Sequence, residues 1–410
     1  MPEVVQAQVR AEPLESFVAA QAPRLQALLE EQERWARAQL PYYSPRPDAL
    51  AFRAEAPEGA APATVRFLQA LRVNPQSRLP LFLQLRPGSS EQGTLAWERV
   101  TTLRSGAGAR EHRFRALMSG EEVNALEVVA SASAEPDYGL DLGLWDDNHG
   151  DAATGFGFGR QPFGNPAVDY SGQAPFHMGF YHEARIVFAA AGFLKRTYPE
   201  HRIQQFLSLA RLAFATGHGY WGWRFTGWAL HYVQDLTQPY HSRVLPGVGT
   251  LRMLAVNALD LVGASGPKND AITLVTNRHT AVENYQLRRM VKAYERGDAA
   301  DLLLSALRDA SGDGAHRLYR HESTRQLVSA EADLAADGLD RQLERTFPSR
   351  YTSDPSQLIG QDADQQLDMH VLALKGLQSE HDELAKQLAR LMTQLGRHSR
   401  ALVRSALTAP

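Results

Sequence analysis

The sequence predicts an all-α protein, a multi-helix bundle interrupted by one long Gly- and Asp-rich loop. Three observations predict it. From Phe180 onward, apolar residues recur at three- and four-residue steps through most of the chain, the spacing that lines them along one face of a helix. Strand signals are confined to short pieces before residue 96. Hydrophobic residues make up 44% and charged residues 22% of the 410, the balance of a globular chain long enough to bury a substantial core.

Taken in order, residues 14 to 40 carry apolar positions at helical spacing among Glu and Arg and stop near Pro41, whose ring and missing N–H end a helix. A Pro- and Ala-rich loop follows. Residues 64 to 85 read as a helix, a turn at Asn74-Pro75 and an extended apolar run ending at Pro87-Gly88. Residues 1–95 are therefore expected to form an N-terminal extension, and residues 96–410 a main domain that includes the C-terminal helices. A helix is expected at 120 to 134. Between Pro136 and Gly179 the chain becomes dense in Gly, Asp, Asn, Pro and aromatics, and so long a loop in a compact domain is usually functional. Helices are then expected at 181–197, 201–216, 221–238, 270–297, 299–310, 320–346 and 364–406.

Lys and Arg number 43 and Asp and Glu 46, a formal charge of −3, which gives no general basic footprint for nucleic acid. No stretch resembles a membrane span of about 20 apolar residues. The first 25 residues lack a basic segment followed by an unbroken apolar run, so no standard secretory signal is visible and a cytoplasmic location is the default expectation. The chain has no cysteine, which excludes disulfides and thiolate ligands; any zinc must be held by His, Asp and Glu.

Two segments supply such residues. WALHYVQDLTQPYH sets His231 and Asp235 four apart on a predicted helix, which puts their Cβ atoms about 5–6 Å apart on one face, within reach of one cation. Pro239 ends that helix and sets His241 beyond it. NRHTAVENY repeats the four-residue spacing with His279 and Glu283. A single His four residues from an acid is usually a surface pair or a satisfied helix contact. Three imidazoles and two carboxylates converging from two helices would suit zinc, and Asp235 could bridge two ions roughly 3.5–4 Å apart.

The string HYVQDLTQPYH resembles the signature of the bacterial zinc-dependent phospholipase C family, which shares an all-helical fold and a three-zinc cluster with the fungal single-strand-specific nucleases. The match covers His231, Tyr232, Asp235, Gln238, Pro239 and His241, and His279 with Glu283 matches the HxxxE pair of the phospholipase branch. The resemblance implies that His231 and Asp235 bind one zinc, with Asp235 bridging to a second, and that His241, His279 and Glu283 hold the remaining ion. The family also uses an upstream Asp and His, and EPDYG and APFHMGFYHE are similar to those pieces. Asp137 is thereby implied as a zinc ligand or general base, and His177 as a ligand of the bridged pair. His182, five residues on, is the alternative ligand and otherwise a polar group near the site entrance. Tyr138 matches a position lining the headgroup pocket, and reads equally well as a packed loop tyrosine. The likeness extends from about Ser133 to Tyr285.

One part of the family pattern is missing. There the third zinc is held by the amino group and carbonyl of an N-terminal Trp and by a His downstream, whereas this chain begins Met1-Pro2. Trp97 and His112 have a similar order and spacing, but Trp97 would become a terminus only by cleavage after Ala96. Asp146, Asp147, His149 and Asp151 are the other candidates, in what otherwise reads as an ordinary acidic loop. The expectation is two or three zinc ions and metal-assisted hydrolysis of a phosphodiester, phospholipid headgroups first, with Asp137 and Asp235 at the chemistry. The competing expectations are a nuclease of the sister branch, with Arg224 and Arg243 as phosphate contacts, and a zinc-stabilised scaffold without turnover. Trp221, Trp223 and Trp228 could make transient contact with a lipid surface, but packing between helices is the expected use of such residues. The family likeness implies secretion.

Overall fold

The computed structural model describes residues 4, 6–55, 57–103, 112–148, 155–164, 169–261, 263–359 and 367–408. It is mostly helical, with 58% helix against 4% strand, as the apolar periodicity requires.

Prolines mark many helix starts, because the first-turn amides have no intrahelical partner and a missing N–H costs little there. α1 (Leu14–Gln39) and α2 (Ala63–Leu71) follow Pro13 and Pro62. Asn124 caps α3 (Ala125–Ala132), its side chain accepting the Leu126 N–H. α4 (Ala174–His177) and α5 (Arg185–Ala190) are short. Pro199 opens α6 (Pro199–Ala215); α7 (Gly219–Leu236) is followed by α8 (Pro239–Ser242), again opened by proline. The order closes with α9 (Thr250–Leu261), α10 (Gly266–Glu295), α11 (Leu302–Arg308), α12 (Ala330–Thr346), α13 (Ser349–Thr352), α14 (Met369–Ala373) and α15 (Gln378–Ala406).

Several elements differ from expectation. The stretch 181–197 is not one helix: α5 stops at Ala190, a 3₁₀ turn covers Gly192–Lys195, and the chain is irregular up to Pro199, since glycine and the residue before a proline both disfavour the α conformation. The stretch 364–406 splits into α14 and α15 around Gly376. α9 was not anticipated. Two antiparallel pairs occur: β1 (Gln8–Arg10) with β4 (Glu122–Asn124), and β2 (Phe82–Gln84) with β3 (Phe114–Ala116). β3 and β4 lie beyond residue 95, and three-residue strands are too short to show an alternating pattern.

Two compact units emerge, each discontinuous in sequence. The first comprises Met1–His177, Arg196–Val233 and Arg400–Pro410; the second comprises Met178–Lys195 and Gln234–Ser399. Residues 1–95 are wired into the first unit rather than appended to it. β1 pairs with β4, α1 packs on α6, and Gln32 Nε2 donates to the Gln205 carbonyl at 3.0 Å. Trp221, Trp223 and Trp228 are buried in this unit, so that aromatic run is core and offers nothing to a lipid surface. In the second unit Tyr240, Val282, Tyr285, Leu339, Leu343, Met369 and Leu388 form a core that joins α8, α10, α12, α14 and α15. No described helix is long and apolar enough to cross a membrane.

Candidate metal centres

Two groups of imidazole and carboxylate side chains come together, one in each unit. In the first, Asp137, His177 and His231 each offer a ligand atom, all within 4.8 Å of one another. α7 carries His231, the end of α4 carries His177, and a 3₁₀ turn over Glu135–Tyr138 carries Asp137. That turn needs Gly139: its φ is +102°, and a Cβ there would fall 2.1 Å from Thr102 Oγ1.

His231 Nε2 and His177 Nδ1 are 3.0 Å apart, and Asp137 Oδ1 lies 3.6 and 3.7 Å from them. The opposite ring nitrogens are engaged. His231 Nδ1 donates to the Ser133 carbonyl at 2.8 Å, and His177 Nε2 faces Asp141 Oδ2 at 3.4 Å. This pattern assigns the protons to the outer nitrogens. Two nitrogen lone pairs and a carboxylate oxygen then point at one another, an arrangement that repels unless a cation joins it. Two nitrogens bound tetrahedrally at zinc–nitrogen distances stand about 3.3 Å apart, so the donor set fits zinc. The His177 and His231 side chains are buried while that of Asp137 is 60% exposed, so solvent reaches the group from the carboxylate side.

Sequence reasoning passed over Asp141. Fully buried, it accepts 2.6 Å hydrogen bonds from both Arg202 Nη2 and Tyr232 Oη. Burial pushes its carboxyl up, but Arg202, His177 and Tyr232 together outweigh burial and hold it below the usual carboxylate range. The only trace in the sequence is its spacing, four residues after Asp137. On the other side of Asp137, buried Glu135 accepts from Arg224 Nε and Nη2 at 2.8–3.1 Å. Two buried ion pairs therefore flank the ligand turn.

In the second group, His241, His279 and Glu283 converge. His279 Nε2 lies 2.8 Å from Glu283 Oε1 and 3.0 Å from His241 Nε2, which is 3.7 Å from the same carboxylate oxygen. Pro239 starts α8, which carries His241, and α10 presents His279 and Glu283 one turn apart. Asp235 Oδ1 lies 3.6 Å from His241 Nδ1, the ring nitrogen opposite the one turned toward His279; among the described residues Asp235 joins neither ligand group, so the structure does not bring it together with His231 around one cation as their helical spacing suggested. Desolvation disfavours charging both His279 and Glu283, yet their mutual attraction prevails, holding the imidazole above its ordinary value and the carboxyl below its own. Behind the group Tyr240 Oη and Arg278 Nη1 both donate to Asp340, at 2.7 and 2.6 Å. Gly247 (φ +76°) admits that carboxylate, since a Cβ there would meet Asp340 Oδ2 at 2.0 Å.

Comparison with protein-family models, with curated proteins and with solved structures finds no match for this chain.

The remaining sequence candidates lie elsewhere. Tyr138 is largely buried: 7% exposed, it donates from Oη to Gln84 Oε1 at 2.5 Å and packs against Phe82 and Phe114. Trp97 and His112 gather around it, with ring centroids 5.2 and 6.4 Å from that of Tyr138. Trp97 lies mid-chain with its carbonyl bonded to the Val100 and Thr101 N–H groups, and His112 Nδ1 faces Gln84 Nε2 at 3.2 Å; among the described residues neither joins a ligand group. His182 sits in a bend ahead of α5, in the second unit, and belongs to neither group, whereas His177 belongs to the first. Asp147 accepts the Gln161 N–H at 2.8 Å, and neither it nor Asp146 joins a group. His149 and Asp151 lie outside the described residues. Arg224 is spent on Glu135, and Arg243 pairs with Asp333 at 3.0 Å, so neither named arginine stands ready for a phosphate backbone.

Proposed function

We propose that this chain is a zinc-dependent phosphodiesterase of the phospholipase C type, hydrolysing phospholipid headgroups. The observation that carries the proposal is that two groups, Asp137–His177–His231 and His241–His279–Glu283, each gather within their own unit. They use residues of one eleven-residue string and of the downstream HxxxE pair, the positions at which the family resemblance puts zinc ligands. His177 and His231 would hold one ion with Asp137, and His241, His279 and Glu283 would hold another, with Asp235 beside His241. Zinc, when bound, supplies Lewis acidity that neutralises phosphoryl charge and makes a nucleophile of water at neutral pH. The chain's own part is to aim the ligands and manage protons. Asp137, the solvent-facing carboxylate of its group, is the residue suited to take a proton from incoming water. No ligands for a third ion are assigned.

Metal analysis followed by assays on a chromogenic phosphocholine diester and on single-stranded DNA tests this. Zinc near two equivalents with diester hydrolysis is the expected result. Activity on DNA alone would reassign the chain to the nuclease branch, and zinc without any phosphoester hydrolysis would leave a scaffold.

A further inference from the structure

We infer that Asp141 is the positioning residue of the first metal group, and that residues 71–74 of the N-terminal region, with Thr102 beyond it, hold it in place. The inference rests on the zinc reading above. Asp141 is fully buried and faces three partners: Arg202 Nη2, Tyr232 Oη and His177 Nε2. Of these, His177 is the candidate ligand. A carboxylate behind an imidazole keeps the proton on the outer nitrogen, turns the inner lone pair toward the metal and raises its basicity.

A buried carboxylate needs a fixed counter-charge, and Arg202 is anchored for that task from the N-terminal region. Arg202 Nη1 donates to the Leu71 carbonyl at 2.9 Å, and Nη2 donates to the Arg72 carbonyl at 2.7 Å. Those carbonyls end α2, the negative end of its dipole, where a guanidinium is favoured. The same region grips the loop between Asp137 and Asp141 directly. Asn74 N–H donates to the Leu140 carbonyl at 2.7 Å and Asn74 Nδ2 to the Gly139 carbonyl at 2.9 Å; Thr102 N–H donates to the Tyr138 carbonyl at 3.0 Å. Among its described residues the N-terminal region thus joins no ligand group, and instead sets the geometry of two candidate ligands.

The second group has its own carboxylate behind a candidate ligand, Asp235 Oδ1 at 3.6 Å from His241 Nδ1, and so serves as the reference equivalent that a change at Asp141 should leave alone. Titrating the metal-free full chain with Zn²⁺, and with Co²⁺ followed by its visible absorption, is the test. Asp141→Asn keeps the shape, but its amide can donate to His177 Nε2 and move the ring proton onto the metal-facing nitrogen. The expected result is roughly 10–100-fold weaker binding of one equivalent, with a changed Co²⁺ spectrum for that equivalent and the other untouched. Tyr232→Phe, which removes only one donor to Asp141, should weaken the same equivalent by less; it carries the test if Asp141→Asn does not fold. Unchanged affinity and spectrum in either folded variant would overturn the inference. Failure of the unmutated chain to bind any metal would instead overturn the zinc reading.

Discussion

Asp137 is the first-group side chain that solvent reaches, with His177 and His231 buried behind it, so under the proposed function it is the group that would take a proton from water. Asp137→Asn is expected to lower kcat by roughly 10²–10⁴-fold, the range for losing a general base; steady-state kinetics on the phosphocholine diester would show it, and retention of full kcat would remove Asp137 from the chemistry. Legibility in the sequence also divides at the scale of single residues. His279 and Glu283 could be read as a pair on one helix face, whereas His231 and His241 were read from the string HYVQDLTQPYH and its family resemblance, since a His four residues from an acid is by itself an ordinary surface pair. Asp141 and Asp340 could not: each matters through an arginine that tertiary packing brings from about sixty positions away, and no local pattern announces that. Tyr138 could be read two ways, as a pocket wall or as a packed tyrosine, and its ring takes part in a hydrophobic cluster that only the tertiary structure assembles.

Among the elements, long amphipathic helices such as α1, α10 and α15 were legible because their apolar stripes run over many turns. The three-residue strands and α9 were not, the former lacking length for a period and the latter lying in a stretch weak in polar contrast. How helices are tied also yields a pH prediction. Glu331 of α12 accepts from Arg397 Nη2 at 2.5 and 2.7 Å and pairs with His398 Nε2 at 2.9 Å, linking α12 to α15. Burial raises the Glu331 carboxyl, but His398 and Arg397 outweigh it and lower it overall. A lowered folded-state value means the pair's stabilisation is present above the unfolded carboxylate value near ~4.3 and disappears as pH falls through the folded one. Glu331→Gln should therefore cost about 1 kcal/mol at neutral pH and flatten the acid limb of stability. Denaturant melts at pH 7 and pH 4 would read this, and an unchanged difference between the two would contradict it.

For the molecule as a whole, each compact unit carries one ligand group, so metal should stabilise both. At one hundred times its dissociation constant each ion adds about 2.7 kcal/mol. Differential scanning calorimetry is expected to show a lower melting temperature after chelation and recovery on adding zinc, in wild type and, to a lesser degree, in His231→Gln, which keeps the second group. A melting temperature indifferent to zinc would count against both groups. The layout of the first unit has a further outcome for biosynthesis. Its last piece, residues 400 to 410, is translated after the whole of the second unit, yet Arg211 of α6 reaches the Ser405 carbonyl, and Leu402, Val403 and Ala406 are buried. A nascent chain must therefore hold the first unit open until the whole of the second has been translated, leaving apolar surface for chaperones to cover in the meantime.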